Sequence, residues 1–215
     1  MSNLKLIVPG IHGKMATAIR EEAIKRNYEL VTTVMMDQGE VLIDFTSSDG
    51  PIIHMLKLAF EYNMGVVIGT TGFNDHQLKL IKTASKKIPI IMSSNFSIGV
   101  NIMFEITELL AKYDGYDFFL NEVHHIDKKD IPSGTANTIS DIINKERPFN
   151  AIASLRTKDQ VGTHSLTLYG KGEEISITHR ATDRSIFVDG ALLAEEWIKG
   201  KEPGLYNMKD VLKEL

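Results

Sequence analysis

The chain of 215 residues contains no cysteine. This absence excludes disulfides, thiolate metal sites and a cysteine nucleophile, and it is typical of proteins from a reducing compartment. Basic residues are not in surplus either, because 24 Lys and Arg stand against 28 Asp and Glu, which gives a formal net charge of −4. The charge balance therefore does not indicate a nucleic-acid or membrane-surface partner.

Long apolar runs are also lacking. The run at residues 4–8 is interrupted by Lys5 and is too short for a secretory signal. No window approaches the roughly 18 apolar residues that a membrane span needs. With 43% hydrophobic and 24% charged residues, the composition is that of an ordinary globular protein. We expect a soluble, cytoplasmic protein with one large domain or two small ones.

The first half of the chain alternates strand-like and helix-like segments. Strands are predicted at 4–8, 28–35, 41–45, 65–68 and 89–92, and helices at 14–25, 51–62 and 75–85. Strands this apolar, alternating with helices, indicate a parallel sheet covered on both faces. Residues 37–40 are too few for the crossover that neighbouring parallel strands need. Either this pair of strands connects unusually or the second strand is misplaced.

The second half has longer strands. Strands are predicted at 116–124, 151–156, 163–169 and 174–181, and helices at 98–113, 133–145 and 186–199. Strands separated by turns rather than by helices indicate an open antiparallel or mixed sheet. Domain boundaries are expected near residues 95–97 and 182–184.

A glycine turn lies between the first predicted strand and the first predicted helix. It reads Gly10-Ile11-His12-Gly13-Lys14-Met15-Ala16, with His12 in place of the usual middle glycine. Such a turn cradles a dinucleotide pyrophosphate on the free N–H groups of the helix, although glycine turns also simply end strands. Asp37 is the candidate acid for the ribose, and no Lys or Arg closely follows it, which favours NAD over NADP.

Three further predicted strands end in small polar loops. These are Asp44–Ser48, Gly69–Gly72 and Ser93–Ser97. Because ligands of a doubly wound sheet bind beyond the carboxyl ends of the strands, three such loops in series predict the wall of a cleft.

The densest chemistry lies between residues 121 and 136. His124 and His125 carry imidazoles, the side-chain type most often used for acid–base chemistry, and Lys128 can supply a charge or a proton. The helix that begins at Ser133-Gly134-Thr135 presents N–H groups that bind carboxylate or phosphate. This combination predicts an acid–base site for an anionic substrate. Neighbouring histidines on a strand point to opposite faces, so at least one of the two can be structural.

A metal site in the same segment stays open from the residues alone. Glu122 and His124 share a strand face, and Asp127 or Asp130 would complete a carboxylate–imidazole set. The neighbouring lysines disfavour a bound cation.

This segment resembles the motif Glu-x-His-His-x-x-Lys-x-Asp-x-Pro-Ser-Gly-Thr-Ala of the 4-hydroxy-tetrahydrodipicolinate (dihydrodipicolinate) reductase family of lysine and diaminopimelate synthesis. Every fixed position is met from Glu122 to Ala136. Blocks similar to the family follow the same order at Gly10–Met15, Asp44–Thr46, Gly69–Gly72, Ser94–Asn101, His179–Ala191 and Gly204–Tyr206. The resemblance covers essentially the whole chain.

The resemblance implies an α/β oxidoreductase of two domains. Residues 1–97 and 184–215 would form a Rossmann-like nucleotide-binding domain. Residues 98–183 would form an α+β domain with a mixed or open sheet, which binds the substrate and assembles a homotetramer. NADH or NADPH, with a lean towards NADH, would reduce the cyclic imine derived from the dicarboxylate 4-hydroxy-tetrahydrodipicolinate to tetrahydrodipicolinate. No metal, nucleic acid or membrane is implied.

Site residues follow from the resemblance position by position. His124 and Lys128 match the acid–base pair. The substrate contacts match His125, Lys128, Ser133, Gly134 and Thr135. The nucleotide contacts match Gly10, Ile11, His12, Gly13, Lys14, Met15, Asp37, Gly69, Thr70, Thr71, Ser93, Ser94, Asn95, Phe96, Arg184 and Phe187.

The chain departs from the family pattern in two stretches, after Asp37 and between His164 and Glu174, both of which are short. The first stretch follows Asp37, so it bears on the assignment of the ribose acid and on the cofactor preference. The second lies in the substrate-domain sheet, so it bears on the tetramer contact. Two other functions stay open: a nucleotide-binding protein without turnover, and a metal-dependent hydrolase that uses Glu122, His124 and Asp127.

Overall fold

The structure is a computed structural model that describes residues 5–10, 13–31 and 39–215. The chain divides into two compact units. The first comprises Met1–Phe96 and Phe187–Leu215, and the second comprises Ser97–Ile186. In the part of the chain that is described, no helix is long and apolar enough to cross a membrane.

Strands and helices follow one another in this order along the chain. The strands are β1 (Lys5–Ile7), β2 (Glu29–Leu30), β3 (Val41–Asp44), β4 (Gly65–Ile68), β5 (Pro89–Met92), β6 (Asp117–His125), β7 (Ile152–Thr157), β8 (Gly162–Gly170), β9 (Glu173–Ala181) and β10 (Gly204–Tyr206). The helices are α1 (Lys14–Lys25), α2 (Ile52–Glu61), α3 (Asp75–Ala84), α4 (Ile98–Leu110), α5 (Gly134–Asn144), α6 (Ser185–Ile198) and α7 (Met208–Leu212).

The first unit is built on a parallel sheet whose described strands lie in the order β10-β5-β4-β3-β1-β2. Every residue of β3 and β4 is buried, as expected for strands covered on both faces. Helix α2 buries Ile52, Met55, Leu56 and Ala59, which recur at the helical spacing. The predicted Rossmann-like α/β class is confirmed.

The second and third strands, whose connection is irregular in the sequence, are separated in the sheet, and residues 32–38 between them lie outside the described part of the chain. Strands β2 and β3 both run parallel to β1, but they pair with its opposite edges, so they are not neighbours in the sheet. The described part of β2 is Glu29–Leu30, which lies within the strand predicted over 28–35. Asp37 lies outside the described residues.

No secondary structure was predicted from the sequence after residue 199, where the structure has a further strand. Strand β10 adds to the sheet parallel to β5, with Gly204 opposite Pro89. Three residues are too few to establish an alternating pattern, so hydrophobic periodicity carries no signal there.

The second unit holds a mixed sheet in the order β7-β6-β8-β9, and the predicted mixed sheet is confirmed. Strand β6 is parallel to β7 and antiparallel to β8, which is antiparallel to β9. The inward face packs with α4 and α5 into one apolar core. The outward face stays exposed, with Phe119, Leu155 and Tyr169 at 37%, 56% and 47% exposure.

Candidate active site

The inward face of β6 changes from apolar to polar along the strand. Phe118 and Leu120 belong to the core, whereas Glu122 and His124, two and four positions beyond Leu120, follow on the same face. Both polar side chains are buried, as is His164 of β8. His164 lies directly opposite Glu122 in the register. The core of the sheet therefore ends in a buried cluster of ionisable groups.

Glu122 is the centre of this cluster. Its Oε1 accepts hydrogen bonds from the backbone N–H of Ser133 at 3.2 Å and from Nη2 of Arg156 at 2.9 Å. Its Oε2 lies 2.8 Å from Nδ1 of His124. Burial favours the neutral acid, but the contacts with His124, Ser133, Ser154 and Arg156 outweigh burial and hold the pKa of Glu122 well below its usual range. A carboxylate is thus buried in ionised form.

His164, unlike Glu122, is uncharged. Burial, followed by the nearby His124, lowers the pKa of His164 to about 3, so its imidazole is neutral near pH 7. Its Nε2 lies 3.1 Å from Oγ of Ser133, which in turn accepts a hydrogen bond from the backbone N–H of Ala136. Ser133 therefore caps α5 and links this helix to the buried cluster.

Lys128 lies on the loop between β6 and α5, where its Nζ is 2.8 Å from Oδ1 of Asp130. The other oxygen of Asp130 accepts a hydrogen bond from the backbone N–H of Gly134 at 3.3 Å. Burial opposes ionisation of Asp130, but Lys128 and these hydrogen bonds leave its pKa lowered. Two groups predicted to bind substrate, the Lys128 ammonium and the Gly134 N–H, thus already bind a carboxylate of this chain.

Arg156 joins the loop to the cluster. Besides Glu122, its guanidinium donates to the backbone carbonyl oxygens of Lys128 at 3.3 Å and of Asp130 at 2.6 Å. Arg156 and His164 were not predicted as site residues from the sequence. Register is the signal that would have found them, because Arg156 lies opposite His124 and His164 lies opposite Glu122.

The structure brings together most of the predicted catalytic and substrate residues in the second unit. His124 lies in the buried cluster, Ser133 caps α5, and Thr135 is buried in the first turn of that helix. His125 lies on the opposite face of β6 from His124. These roles in substrate binding and catalysis stay predictions.

The residues that could bind a metal ion in the structure differ in part from those expected from the sequence. Ligand atoms of Glu122, His124 and His164 lie within 4.8 Å of one another, whereas Asp127 is exposed on the loop. Glu122 already pairs with the Arg156 guanidinium. A cation would have to compete with that fixed positive charge.

In the first unit, the glycine turn begins α1. Gly10 has φ +84°, and a Cβ there would lie 3.2 Å from Cγ2 of Thr46. Among the described residues, no side chain caps α1 at Gly13 and no acid lies in its first turn, where Lys14 is exposed. The N–H groups at such a helix end suit an anion, as a bound pyrophosphate would require. Ile11 and His12 lie outside the described residues.

The polar loops at the ends of β3 and β4 are bonded together by Asp44. This buried carboxylate accepts hydrogen bonds from the N–H and Oγ1 of Thr46, at 3.1 and 2.7 Å, and from Oγ1 of Thr70 at 2.9 Å. Gly69 follows β4 directly, and a Cβ there would overlap the ring of Phe45. That position therefore has no room for a side chain.

The loop after β5 completes this edge of the sheet. Its Ser93 N–H donates to the carbonyl of Ile68, and the ring of Phe96 packs against that of Phe45 at 5.3 Å between centroids. The remaining predicted nucleotide residues are placed as follows: Met15 in α1, Thr71 after β4, Ser94 and Asn95 after β5, Arg184 before α6, and Phe187 in α6. Their contacts with a nucleotide stay predictions.

Two family profiles match most of the chain. The profile "Dihydrodipicolinate reductase, N-terminus" matches residues 32–96, and "Dihydrodipicolinate reductase, C-terminus" matches residues 99–212. The chain belongs to the dihydrodipicolinate reductase family. The resemblance inferred from the residues 122–136 is thereby confirmed.

Curated relatives agree with this assignment. A 4-hydroxy-tetrahydrodipicolinate reductase of Buchnera aphidicola is 40% identical, over 82% of this chain and 72% of the relative. One from Methanoculleus marisnigri is 38% identical, over 97% of this chain and 99% of the relative. That alignment spans 251 positions against the 215 residues here, so the relative carries residues without a counterpart. The difference has the direction expected from the two short stretches, whose positions stay a prediction.

Solved structures share the fold. "Dipicolinate bound Dihydrodipicolinate reductase" from Paenisporosarcina sp. TG-14 superposes with a TM-score of 0.78 at 21% identity, over 95% of this chain and 97% of that one. An aspartate dehydrogenase from Thermotoga maritima gives a TM-score of 0.55 at 10% identity, over 94% and 99% of the two chains. At these identities the likeness is one of fold.

Proposed function

We propose that this chain reduces the cyclic imine derived from 4-hydroxy-tetrahydrodipicolinate to tetrahydrodipicolinate, with NADH or NADPH as the reductant. Membership of the reductase family across the chain supports the reaction. The observation that carries it within the site is the carboxylate of Asp130, bound between Nζ of Lys128 and the N–H of Gly134. The same donors suit a carboxylate of the substrate.

The substrate would bind at the first turn of α5. Lys128 and the N–H groups of Gly134 and Thr135 would bind one carboxylate in place of Asp130, since a helix N-terminus favours anions. His125 and Ser133 are the remaining predicted contacts. A dihydrodipicolinate reductase of the same fold is described with dipicolinate bound, and we propose that this pyridine dicarboxylate occupies the same site here.

Proton transfer falls to Lys128 and His124. Addition of hydride to a conjugated imine leaves a charge that a nearby acid must neutralise, and such acid catalysis contributes about 10²–10⁴-fold. Lys128 is partly exposed next to the proposed carboxylate site, whereas His124 lies in the buried cluster. We propose that the two residues share this role.

The first unit fits a nicotinamide dinucleotide. Gly10 and Gly13 leave room for a pyrophosphate at α1, with Lys14 beside it, and the loops held by Asp44 would flank the rest of the cofactor. Bound NAD(P)H supplies the hydride. The other nucleotide contacts that we propose are those named in the sequence.

We propose a preference for NADH over NADPH, carried by Asp37. If this carboxylate binds the ribose hydroxyls, Asp37→Ala will raise the KM for NADH more than the KM for NADPH. Equal changes for the two cofactors, or none, would show that Asp37 is not the ribose acid.

Each of the two domains has its own role in the proposed reaction. We propose that residues 1–97 and 184–215 bind the nucleotide and that residues 98–183 bind the substrate. The exposed outward face of the second sheet, with Phe119 and Leu155, supports assembly into a homotetramer through that face. Light scattering on the purified protein would test this. Nicotinamide chemistry and the absence of cysteine fit a cytoplasmic location.

A coupled assay tests the function. Pyruvate and aspartate semialdehyde are condensed by the preceding synthase, this protein is added, and oxidation of NADH or NADPH is followed separately, with and without a metal chelator. Synthase-dependent oxidation that survives the chelator is expected. If a folded protein binds NADH but oxidises neither cofactor, a binding protein without turnover becomes the better account. Activity lost with the chelator would favour a metal-dependent enzyme.

A further inference from the structure

We propose that Glu122 is a positioning residue that holds the proton on Nδ1 of His124, so that the doubly protonated ring donates its other proton from Nε2 and is left as the neutral Nδ1–H tautomer, while Gly162 keeps the space beside Nε2 open. This inference rests on the proposed function, in which His124 takes part in proton transfer. It assigns roles to two residues that do not themselves contact the substrate.

The orientation of the Glu122 carboxylate is fixed by its partners. Oε1 accepts from both the Ser133 N–H and the Arg156 guanidinium, so the carboxylate cannot rotate without losing two hydrogen bonds. Oε2 thereby lies 2.8 Å from Nδ1 of His124, an ion-pair contact whose N–H direction falls outside hydrogen-bond geometry. A negatively charged acceptor at this distance favours the tautomer in which Nδ1 carries the proton.

His164 does not compete for this carboxylate. Its Nε2 is 3.8 Å from Oε2 of Glu122 but 3.1 Å from Oγ of Ser133. Its ring instead packs edge-on against His124, with 5.0 Å between centroids and 69° between planes. His164 therefore restrains the plane of the His124 ring, while Glu122 selects its tautomer.

The opposite edge of the His124 ring faces Gly162, the first residue of β8. A Cβ at Gly162 would lie 3.0 Å from Nε2 and 3.2 Å from Cδ2 of His124. Gly162 is not among the glycines with positive φ, so its backbone does not require glycine. What the position requires is space beside Nε2, the nitrogen that our proposal assigns to proton transfer.

The tautomer can be observed directly. In protein labelled with ¹⁵N-histidine, long-range ¹H–¹⁵N correlation distinguishes a protonated from an unprotonated ring nitrogen, and the His124 signals are those missing from His124→Gln. We expect Nδ1 protonated and Nε2 unprotonated in the neutral ring. The reverse assignment would overturn the proposal. This spectrum needs neither turnover nor a Glu122 variant.

Kinetics supply the second test. We expect Glu122→Gln to lower kcat by about ten- to hundred-fold, a part of what acid catalysis contributes, with the KM for substrate and the Kd for NADH little changed. Its control is Glu195→Gln, which alters another completely buried glutamate in the first unit. That variant should keep the kcat of the wild type. An unchanged kcat in Glu122→Gln would overturn the role of Glu122.

Gly162→Ala tests the space beside Nε2 without touching Glu122. We expect a reduced kcat, because the added methyl group crowds Nε2, and an unchanged fold by circular dichroism. Full activity would overturn the role of Gly162. An inactive wild type would contradict the proposed function. An active wild type with the His124 proton on Nε2 would contradict only the role of Glu122 proposed here.

Discussion

Two helix N-termini carry the proposed chemistry, and they are built differently. Helix α1 starts at Gly13 after a glycine turn, and no described side chain caps it. Helix α5 is capped by Ser133, and its first N–H is bound by Asp130, which also pairs with Lys128. The N-terminus of α1 follows glycines, which have no side chains, whereas buried and charged side chains surround the N-terminus of α5.

The difference follows from what each end would bind. A pyrophosphate binds by approaching backbone N–H groups closely, and glycine, which has no side chain, allows this approach. A small carboxylate next to a reacting imine needs a cation and a proton donor at fixed positions. Side chains held by buried hydrogen bonds provide these, as Arg156 and Glu122 do here. Binding and proton transfer thus favour different residue types.

The largest expected effect comes from matched lysines at the two ends. We expect Lys128→Ala to lower kcat by about 10²–10⁴-fold with the Kd for NADH unchanged. Lys14→Ala should raise the Kd for NADH slightly and leave kcat intact, because Lys14 is exposed beside the glycine turn. Steady-state kinetics and NADH fluorescence titration check both. An unchanged kcat in Lys128→Ala would remove the acid role from this residue.

The two units also differ in their completely buried glutamates. Unlike Glu122, Glu195 has no hydrogen-bond partner for either oxygen within the described chain, and burial, with Glu196 nearby, raises its pKa to about 8. The unfolded chain releases this proton near pH 4.5, so the wild type should lose stability as the pH rises from 4.5 to 8.

We expect that loss to be on the order of a few kcal/mol, since each pKa unit corresponds to about 1.4 kcal/mol. Glu195→Gln should lack it. Urea unfolding of both proteins at pH 5 and pH 8 measures the difference, and parallel pH dependences would show that Glu195 is ionised in the fold.

Glycines with positive φ offer a third comparison. Gly10 (φ +84°) lies in the glycine turn before α1, whereas Gly172 (φ +85°) lies in the turn between β8 and β9, where a Cβ would have no atom within 4 Å. Alanine at either position should reduce stability by about 1–2 kcal/mol. We expect only Gly10→Ala to weaken NADH binding, by roughly ten-fold. Equal NADH affinities for the two variants would argue against a cofactor at α1.

The smallest expected effect concerns the internal carboxylate at α5. If Asp130 occupies the substrate carboxylate position, Asp130→Asn should lower the substrate KM by about two- to five-fold, the range that a partly exposed ion pair supplies. The neighbouring, exposed Asp127→Asn serves as its control. A raised KM in Asp130→Asn would mean that Asp130 positions Lys128 for the substrate rather than competing with it.

Local patterns predicted much of the fold. The bounds of α1, β4 and β5 agree with the sequence predictions, because apolar periodicity and flanking turns depend only on consecutive residues. Strand β10 was not predicted, since three residues hold no period. Its place in the sheet depends on a partner that is distant along the chain.

The candidate site shows the same limit. The segment from Glu122 to Ala136 was recognised from its motif, whereas Arg156, which binds Glu122 from 34 residues away, was not. Its position opposite His124 follows from strand register, which only the folded sheet reveals. The motif residues were recognised because they are nearly consecutive in the sequence, whereas their partners Arg156 and His164 lie on other strands and were not.

The central claim, that this chain reduces the imine of the dicarboxylate with a nicotinamide hydride, is tested most directly by isotope transfer. NADH or NADPH deuterated on the transferred position of C4 would be incubated with the synthase-generated substrate and this protein. We predict tetrahydrodipicolinate that carries the deuterium, detected by mass spectrometry. Unlabelled product, or none from a folded protein that binds the cofactor, would contradict the account.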